Sequence, residues 1–345
     1  MDNLPIKRSN KRFFRTPWGY LILTVVLIAS ALCAWRFGSA EMSHGAFFGA
    51  LFRMEGHETD VLILYSLRLP RVLAGILAGA ALSASGVMLQ CVTDNGLSSP
   101  NVIGVNAGAG FGVVCALMLL PAGCRWLTLS ALPAFAIIGA FLSTLVVLLI
   151  SAKNGGTRAS VVLSGIAVTA LLNALISGAT LIDTDLLVSY NAFSVGGFAG
   201  VTMRELIAPA LLTLVCFVVC MCLGERLDLL ALGTGMASVM GVRVRVLRMV
   251  AILCAAAMAA SAVSFAGLLG FVGLIVPHAA RALVGNRVRY LLPTAALLGG
   301  SLCVLADLFG RMVLSPTEIP VGITMALVGA PFFLFLLLRR GGRKE

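Results

Sequence analysis

Charge is scarce in this sequence. Only 11% of its 345 residues are Asp, Glu, Lys or Arg, while 60% are hydrophobic. A water-facing fold carries about 25% charged residues, so a soluble domain is excluded and the solvent must be lipid. Histidine is scarcer still, with three copies, and aromatics make up 7%. No GxxxxGK[ST] string occurs, so ATP is not bound through a P-loop. No CxxC occurs either. The nine cysteines, Cys33, Cys115, Cys216, Cys220, Cys254 and Cys303 among them, lie mostly in apolar runs and read as small hydrophobes rather than metal ligands or disulfides. No Lys or Glu falls mid-span, which argues against a proton-coupled secondary transporter. Scattered histidines and peripheral acids supply no constellation for an intramembrane enzyme, and no cofactor site is expected.

What is present is a series of apolar runs. A bilayer-spanning helix needs about 20 mostly apolar residues. Ten runs qualify, at 17–37, 71–91, 103–121, 131–151, 159–182, 206–223, 246–264, 268–284, 291–311 and 321–338. The fold expected is an all-α integral membrane protein of about ten spans. A basic tail, 1–16, precedes a single transmembrane domain over 17–338, and a second basic tail, 339–345, follows it. The first run is too long for a signal-peptide core and reads as a retained span.

Ten spans put both termini on one side. Placing them inside puts 18 of the 25 Lys and Arg inside, leaving Arg36, Arg53, Arg68, Arg71, Arg125, Arg204 and Arg311 outside. The positive-inside rule therefore makes both termini cytoplasmic. It also accounts for the net charge of +11 without nucleic acid. A basic footprint lacking both a motif and interleaved aromatics is not a nucleic-acid surface.

Small residues recur at spacing four, Gly75 with Gly79 and Gly104 with Gly108 and Gly112, a pattern that lets helix backbones approach closely in lipid. Pro277 falls inside a span and should kink it. Asn173, Ser177 and Thr180 share one helical face. That stripe reads equally as part of a translocation path or as an interhelical hydrogen-bonding seam. Outside the spans, 183–204 allows a short interfacial helix over 186–195. On the cytoplasmic side, 226–245 holds two short apolar stretches, 227–232 and 236–242, broken by Gly233 and Gly235. Neither can cross the bilayer, and a surface helix–turn–helix of two short helices is expected.

Several strings occur in a recognisable order: Arg68-Leu69-Pro70-Arg71, Asn95-Gly96-Leu97 to Pro100, Leu229-Leu230-Ala231-Leu232-Gly233 with Ala237 and Gly241, Gly270 to His278, Ala306-Asp307-Leu308 with Arg311, and Glu318-Ile319-Pro320-Val321-Gly322. Together they resemble the FecCD-type permease subunits of iron-siderophore, haem and vitamin B12 ABC importers. The resemblance spans about residues 66 to 335, and Gly96 departs from the family's usual Pro.

The resemblance implies a pairing with a second permease copy or a paralogue, two cytoplasmic ATPase subunits and an extracytoplasmic binding protein. It implies docking of that protein on Arg68, Arg71 and Arg311, a cytoplasmic gate at Asn95, Leu97 and Thr157, and ATPase coupling through Leu229, Leu230, Leu232, Gly233, Ala237 and Gly241. For Arg311, a local pair with Asp307 at i, i+4 is the competing role. The expected cargo is a ferric siderophore, with haem or cobalamin as the alternative. His44, His57 and His278 are not expected to ligate haem.

Overall fold

The computed structural model describes residues 14–39, 42–120 and 125–341. The two expected basic tails lie for the most part outside them, as do the side chains of Arg125 and Arg158. Among the described residues the protein is helical, with no strand.

Each expected span is met by a helix. They are α1 (Pro17–Arg36), α4 (Leu69–Thr93), α5 (Val105–Leu119), α6 (Arg125–Lys153), α7 (Arg158–Ile182), α9 (Met203–Leu230), α11 (Val244–Ala266), α12 (Val272–Val284), α13 (Val288–Val313) and α14 (Val321–Gly341). Seven of the ten are long and apolar enough to cross a membrane; α5, α12 and α14 are shorter in their apolar stretches. Between them lie α2 (His44–Leu51), α3 (Glu58–Leu62), α8 (Thr184–Val195) and α10 (Thr234–Val239). The short helix expected over 186–195 is α8, whose Asp183 cap accepts from the N–H groups of Asp185 and Leu186.

Burial sorts the helices. α4 and α11 are the most enclosed, whereas α1, α7 and α9 present long apolar faces outward. α4 packs against α11, α12 and α13, and glycine makes the contacts possible. A Cβ on Gly79 would strike the Gly299 carbonyl of α13, and one on Gly86 would strike the Gly273 carbonyl of α12. Gly108 and Gly112 of α5 meet Gly139 and the Phe135 carbonyl of α6 in the same way. Backbone-to-backbone approach of this kind supplies packing where lipid removes the hydrophobic drive between helices.

Pro277 sits inside α12, as expected. Lacking an N–H, it leaves the Gly273 carbonyl without its ladder donor. Gln90 of α4, 3% exposed, repairs this by donating Nε2 to Gly273 O at 3.3 Å. The Gln90 Oε1 in turn accepts from the Arg281 guanidinium.

The segment 226–245 differs from expectation. Of the two short helices anticipated in 226–245, the first is the end of α9, which runs unbroken to Leu230. Glu225 and Arg226 end the apolar run but are good helix formers, so hydropathy stops where the helix does not. Only α10 is a separate short helix.

Candidate functional site

Polar chemistry gathers at the two ends of the bundle. At one end, α1 stops at Arg36 and leaves its last carbonyls without intrahelical donors. Arg68 Nη1 donates to Trp35 O at 3.3 Å and to Arg36 O at 2.7 Å. Arg311 donates Nη2 to Ala34 O at 3.2 Å and Nη1 to Phe37 O at 3.3 Å. Two guanidiniums thus cap one helix C-terminus, where cations are also favoured by the helix dipole.

A carboxylate pair anchors the same cluster. Arg71 grips Asp307 through Nε at 3.1 and 3.0 Å and Nη2 at 2.9 Å, and reaches Glu318 Oε2 through Nη1 at 2.6 Å. Arg311 Nε lies 3.0 Å from Asp307 Oδ2, so the local i, i+4 pair is formed. Ser39 donates its hydroxyl to Glu318 Oε1 at 2.5 Å. Burial alone would raise the Glu318 carboxyl, but the Ser39 hydroxyl and the Arg71 guanidinium outweigh it and hold it below the usual carboxylate range.

Local sequence explains the placement of these arginines. The backbone over Ile63–Arg68 widens into a π-turn, with the Leu69 N–H bonding to Leu64 O, just before Pro70 removes a ladder donor. The three expected docking arginines therefore do come together. Arg68 and Arg311 are only 5% and 2% exposed, and Arg71 is the one whose side chain keeps an opening, 12%. Sequence reading missed Ser39 and the carbonyl caps, because a backbone acceptor leaves no mark on residue type.

At the opposite end, α4 closes on Asp94 in the left-handed region, φ +50°. Asn95 Oδ1 accepts the Leu97 N–H at 3.0 Å, and Asn95 O accepts Ser98 N–H at 3.0 Å. Gly96, the departure from the family string, lies within this turn. The α6–α7 turn is a Schellman closure, with Gly155 at φ +82° and Gly156 N–H donating to Ser151 O at 2.8 Å. Thr157 is the α7 cap, its hydroxyl accepting the Ser160 N–H at 3.1 Å.

One open cavity is lined by Asp94, Thr157, Leu232, Gly233 and Arg248. It joins the expected gate residue Thr157 to the expected coupling residues Leu232 and Gly233, while Asn95 and Leu97 do not line it. Leu230 and Ala237 are buried at 1% and 0%, anchoring the segment. Leu229 belongs to the last turn of α9 itself. Gly233 (φ +105°) and Gly241 (φ +82°) bracket α10, and Val242 N–H returns to Ala237 O at 3.0 Å. The end of α9 is tied to α13 by Asp228 Oδ1, which accepts Val288 N–H at 2.9 Å. Held this way, α10 projects Met236 and Val239 outward, 55% and 86% exposed, with Leu232 before it and Met240 after it exposed at 65% and 55%.

The stripe on α7 is only partly assembled. Asn173 and Ser177 are exposed. Thr180 is buried and donates back to Ile176 O at 2.9 Å, where α8 folds against α7 around Ile176 and Leu186. His278 Nδ1 lies 3.2 Å from Leu274 O of its own helix, His57 Nδ1 lies 3.0 Å from Asp60 Oδ2, and His44 Nδ1 lies 3.3 Å from Arg36. Among the described residues no cluster of His, Cys, Asp or Glu is arranged to hold a metal ion.

Spans tied backbone to backbone, polar turns confined to two ends and an apolar helix hung outside the bundle define a multi-pass membrane transport subunit. More narrowly, the chain belongs to the FecCD transport family, whose model matches residues 23–339. It is 35% identical over 337 residues to the Fe(3+)-citrate import system permease protein YfmE of Bacillus subtilis (strain 168), covering 96% of this chain and 98% of that one. It is 34% identical to the vitamin B12 import system permease protein BtuC of Klebsiella pneumoniae, covering 99% and 98%. A solved inward-facing conformation of a metal-chelate type ABC transporter superposes with a TM-score of 0.82 at 29% identity, covering 94% of this chain and all of that one.

Proposed function

We propose that this chain is one of two membrane-spanning subunits of a binding-protein-dependent ABC importer in the bacterial cytoplasmic membrane, and that its cargo is a ferric siderophore. Both termini face the cytoplasm, with Arg68, Arg71 and Arg311 at the outer end. The observation that carries the reading is α10, whose exposed apolar side chains lie beyond the spans on the basic side. An apolar helix in that position has neither lipid nor core to cover it and suits a soluble ATPase partner.

The chain is no enzyme in this scheme; ATP is hydrolysed by the partner subunits. Their movement against α10 passes through Leu229, Leu230, Leu232, Gly233, Ala237 and Gly241 into α9, and through the shared cavity to Thr157. Asn95, Leu97 and Thr157 form the cytoplasmic gate. A second permease copy or a paralogue covers the outward face of α7, and Asn173 and Ser177 face the path so enclosed, with Thr180 holding the helix beside them. Alternation of access follows when the gate opens as the outer end closes.

Binding-protein docking is assigned to the arginine end. Arg71, beside Glu318, offers the contact to a partner carboxylate. Arg68 and Arg311, drawn under the surface by the α1 carbonyls, set its shape and charge. A cobalamin or haem cargo is the second reading, and the vitamin B12 permease relative at 34% identity is what favours keeping it.

The test is uptake in cells lacking the gene, supplied in turn with radiolabelled iron as ferric siderophores or ferric citrate, with haem, and with labelled cobalamin. Loss of one uptake, restored by the gene but not by a form with 229–241 scrambled, is the expected result. Unchanged uptake of all of them, with no redundant importer present, would overturn the cargo assignment.

A further inference from the structure

α9 and α11 bring together three thiols that none of the roles above uses. Cys216 and Cys220 stand four residues apart on one face of α9, 8% and 0% exposed. Cys254 of α11 packs against the same apolar cluster, and its thiol is hydrogen-bonded to both of theirs. Taken singly, each reads as a small hydrophobe; the packing of the two helices turns them into a group. Their arrangement is not one that holds a metal ion, and all three are free. Pairwise oxidation is the chemistry left to them.

The surroundings select the oxidant. Within one turn of Cys216, the α9 residues Leu214, Val215 and Val218 are 59%, 60% and 52% exposed. Both α9 and α11 are long and apolar enough to cross a membrane, so the medium at this height is hydrocarbon. Cys254, half-buried, is the least enclosed of the three. A reagent that reaches it must dissolve in lipid, which excludes ions and admits an organic hydroperoxide.

We propose that Cys254, Cys216 and Cys220 form an oxidation site for organic hydroperoxides, at which Cys254 becomes a sulfenic acid and Cys216 or Cys220 resolves it to an interhelical disulfide. In the first step the Cys254 sulfur attacks the terminal peroxide oxygen and the O–O bond breaks. The thiol proton goes to the departing alkoxide, giving an alcohol; sulfur loses two electrons and the peroxide gains them. The S–H groups of Cys216 and Cys220 are the donors that steady the charge on the attacking sulfur where water is absent. In the second step a neighbouring thiol attacks the sulfenic sulfur, the S–O bond breaks, and the hydroxyl leaves with the thiol proton as water. Thiols already in contact need only a side-chain rotation to reach the S–S bond length of about 2.0 Å. The product staples α9 to α11, the two arms of the hairpin whose turn carries α10.

The experiment treats the full-length chain in lipid nanodiscs with cumene hydroperoxide. Remaining thiols are then blocked with a maleimide under denaturing conditions, and disulfides are mapped by peptide mass spectrometry. The chain should lose about two free thiols, with Cys254 bonded to Cys216 or Cys220 of the same chain and Cys303, buried on α13, still reduced. Dithiothreitol should restore both thiols. Cys254→Ser should abolish the bond, whereas Cys216→Ser should leave it, made through Cys220. Absence of the bond in the wild-type chain, a bond between Cys216 and Cys220 that survives Cys254→Ser, or bonds found only between separate chains would overturn the proposal. Should Cys254→Ser fail to fold by size exclusion, the wild-type peptide map still decides. No transport is measured, so failure of the importer reading would leave the result unchanged.

Discussion

Asp307 is 3% exposed and touches two guanidiniums, of Arg71 and Arg311. Removing one partner of a buried ion pair costs about 3–5 kcal/mol, because the remaining charge stays buried. Asp307→Ala should therefore lower the thermal midpoint of the detergent-solubilised protein steeply, and a midpoint within error of wild type would refute the cluster's structural role. Glu318 behaves differently because it is partly open. Its folded-state carboxyl is held below the ordinary range, so its contribution is fully present above the unfolded value, about 4.3, and is lost as pH falls through the folded value. The midpoints of wild type and Glu318→Gln should differ at neutral pH and converge as pH falls below about 4.3 and through the folded value. A difference that stays constant from neutral pH into the acid range would contradict the assignment. The sequence placed these residues in ordered strings, yet their partnerships bridge more than two hundred positions, as from Arg71 to Asp307, and nothing local to either residue encodes the other.

Among the elements, the spans were legible because each is an apolar run bounded by polar turns. Their true ends were not, because helix formation and hydropathy respond to different things. The α9 helix passes through Glu225 and Arg226 without breaking and stops only at Leu230, and the helices α2 and α3 at the arginine end are too short for any span count to find. Glycine spacing was informative: Gly79 and Gly108 both mark close backbone contacts. Gly79→Leu should prevent α4 from seating on α13, giving an aggregated rather than monodisperse elution profile; a monodisperse, wild-type-like product would count against the contact. On α10, Met236→Asp with Val239→Asp changes side chains that are 55% and 86% exposed, so the fold should survive. Co-purification of the ATPase partner and substrate uptake should both be lost, and retention of either would remove α10 from the coupling path.

For the molecule as a whole, orientation is the claim that organises the rest. Glu55→Cys, at the arginine end, should react with a membrane-impermeant maleimide in intact cells, measured against the background of the native cysteines. Val239→Cys should react only after permeabilisation; the reverse pattern would invert every assignment of leaflet, gate and docking face. The glycine seam of α4 has a further consequence, one of timing. Gly79 leaves the ribosome long before Gly299, its partner on α13. At about 5–20 residues per second the interval is roughly 10–40 s. Through that interval a finished span holds a groove cut for a neighbour that does not yet exist. Premature termination anywhere before α13 leaves that groove uncovered, a surface of α4 that the completed chain buries against Gly299.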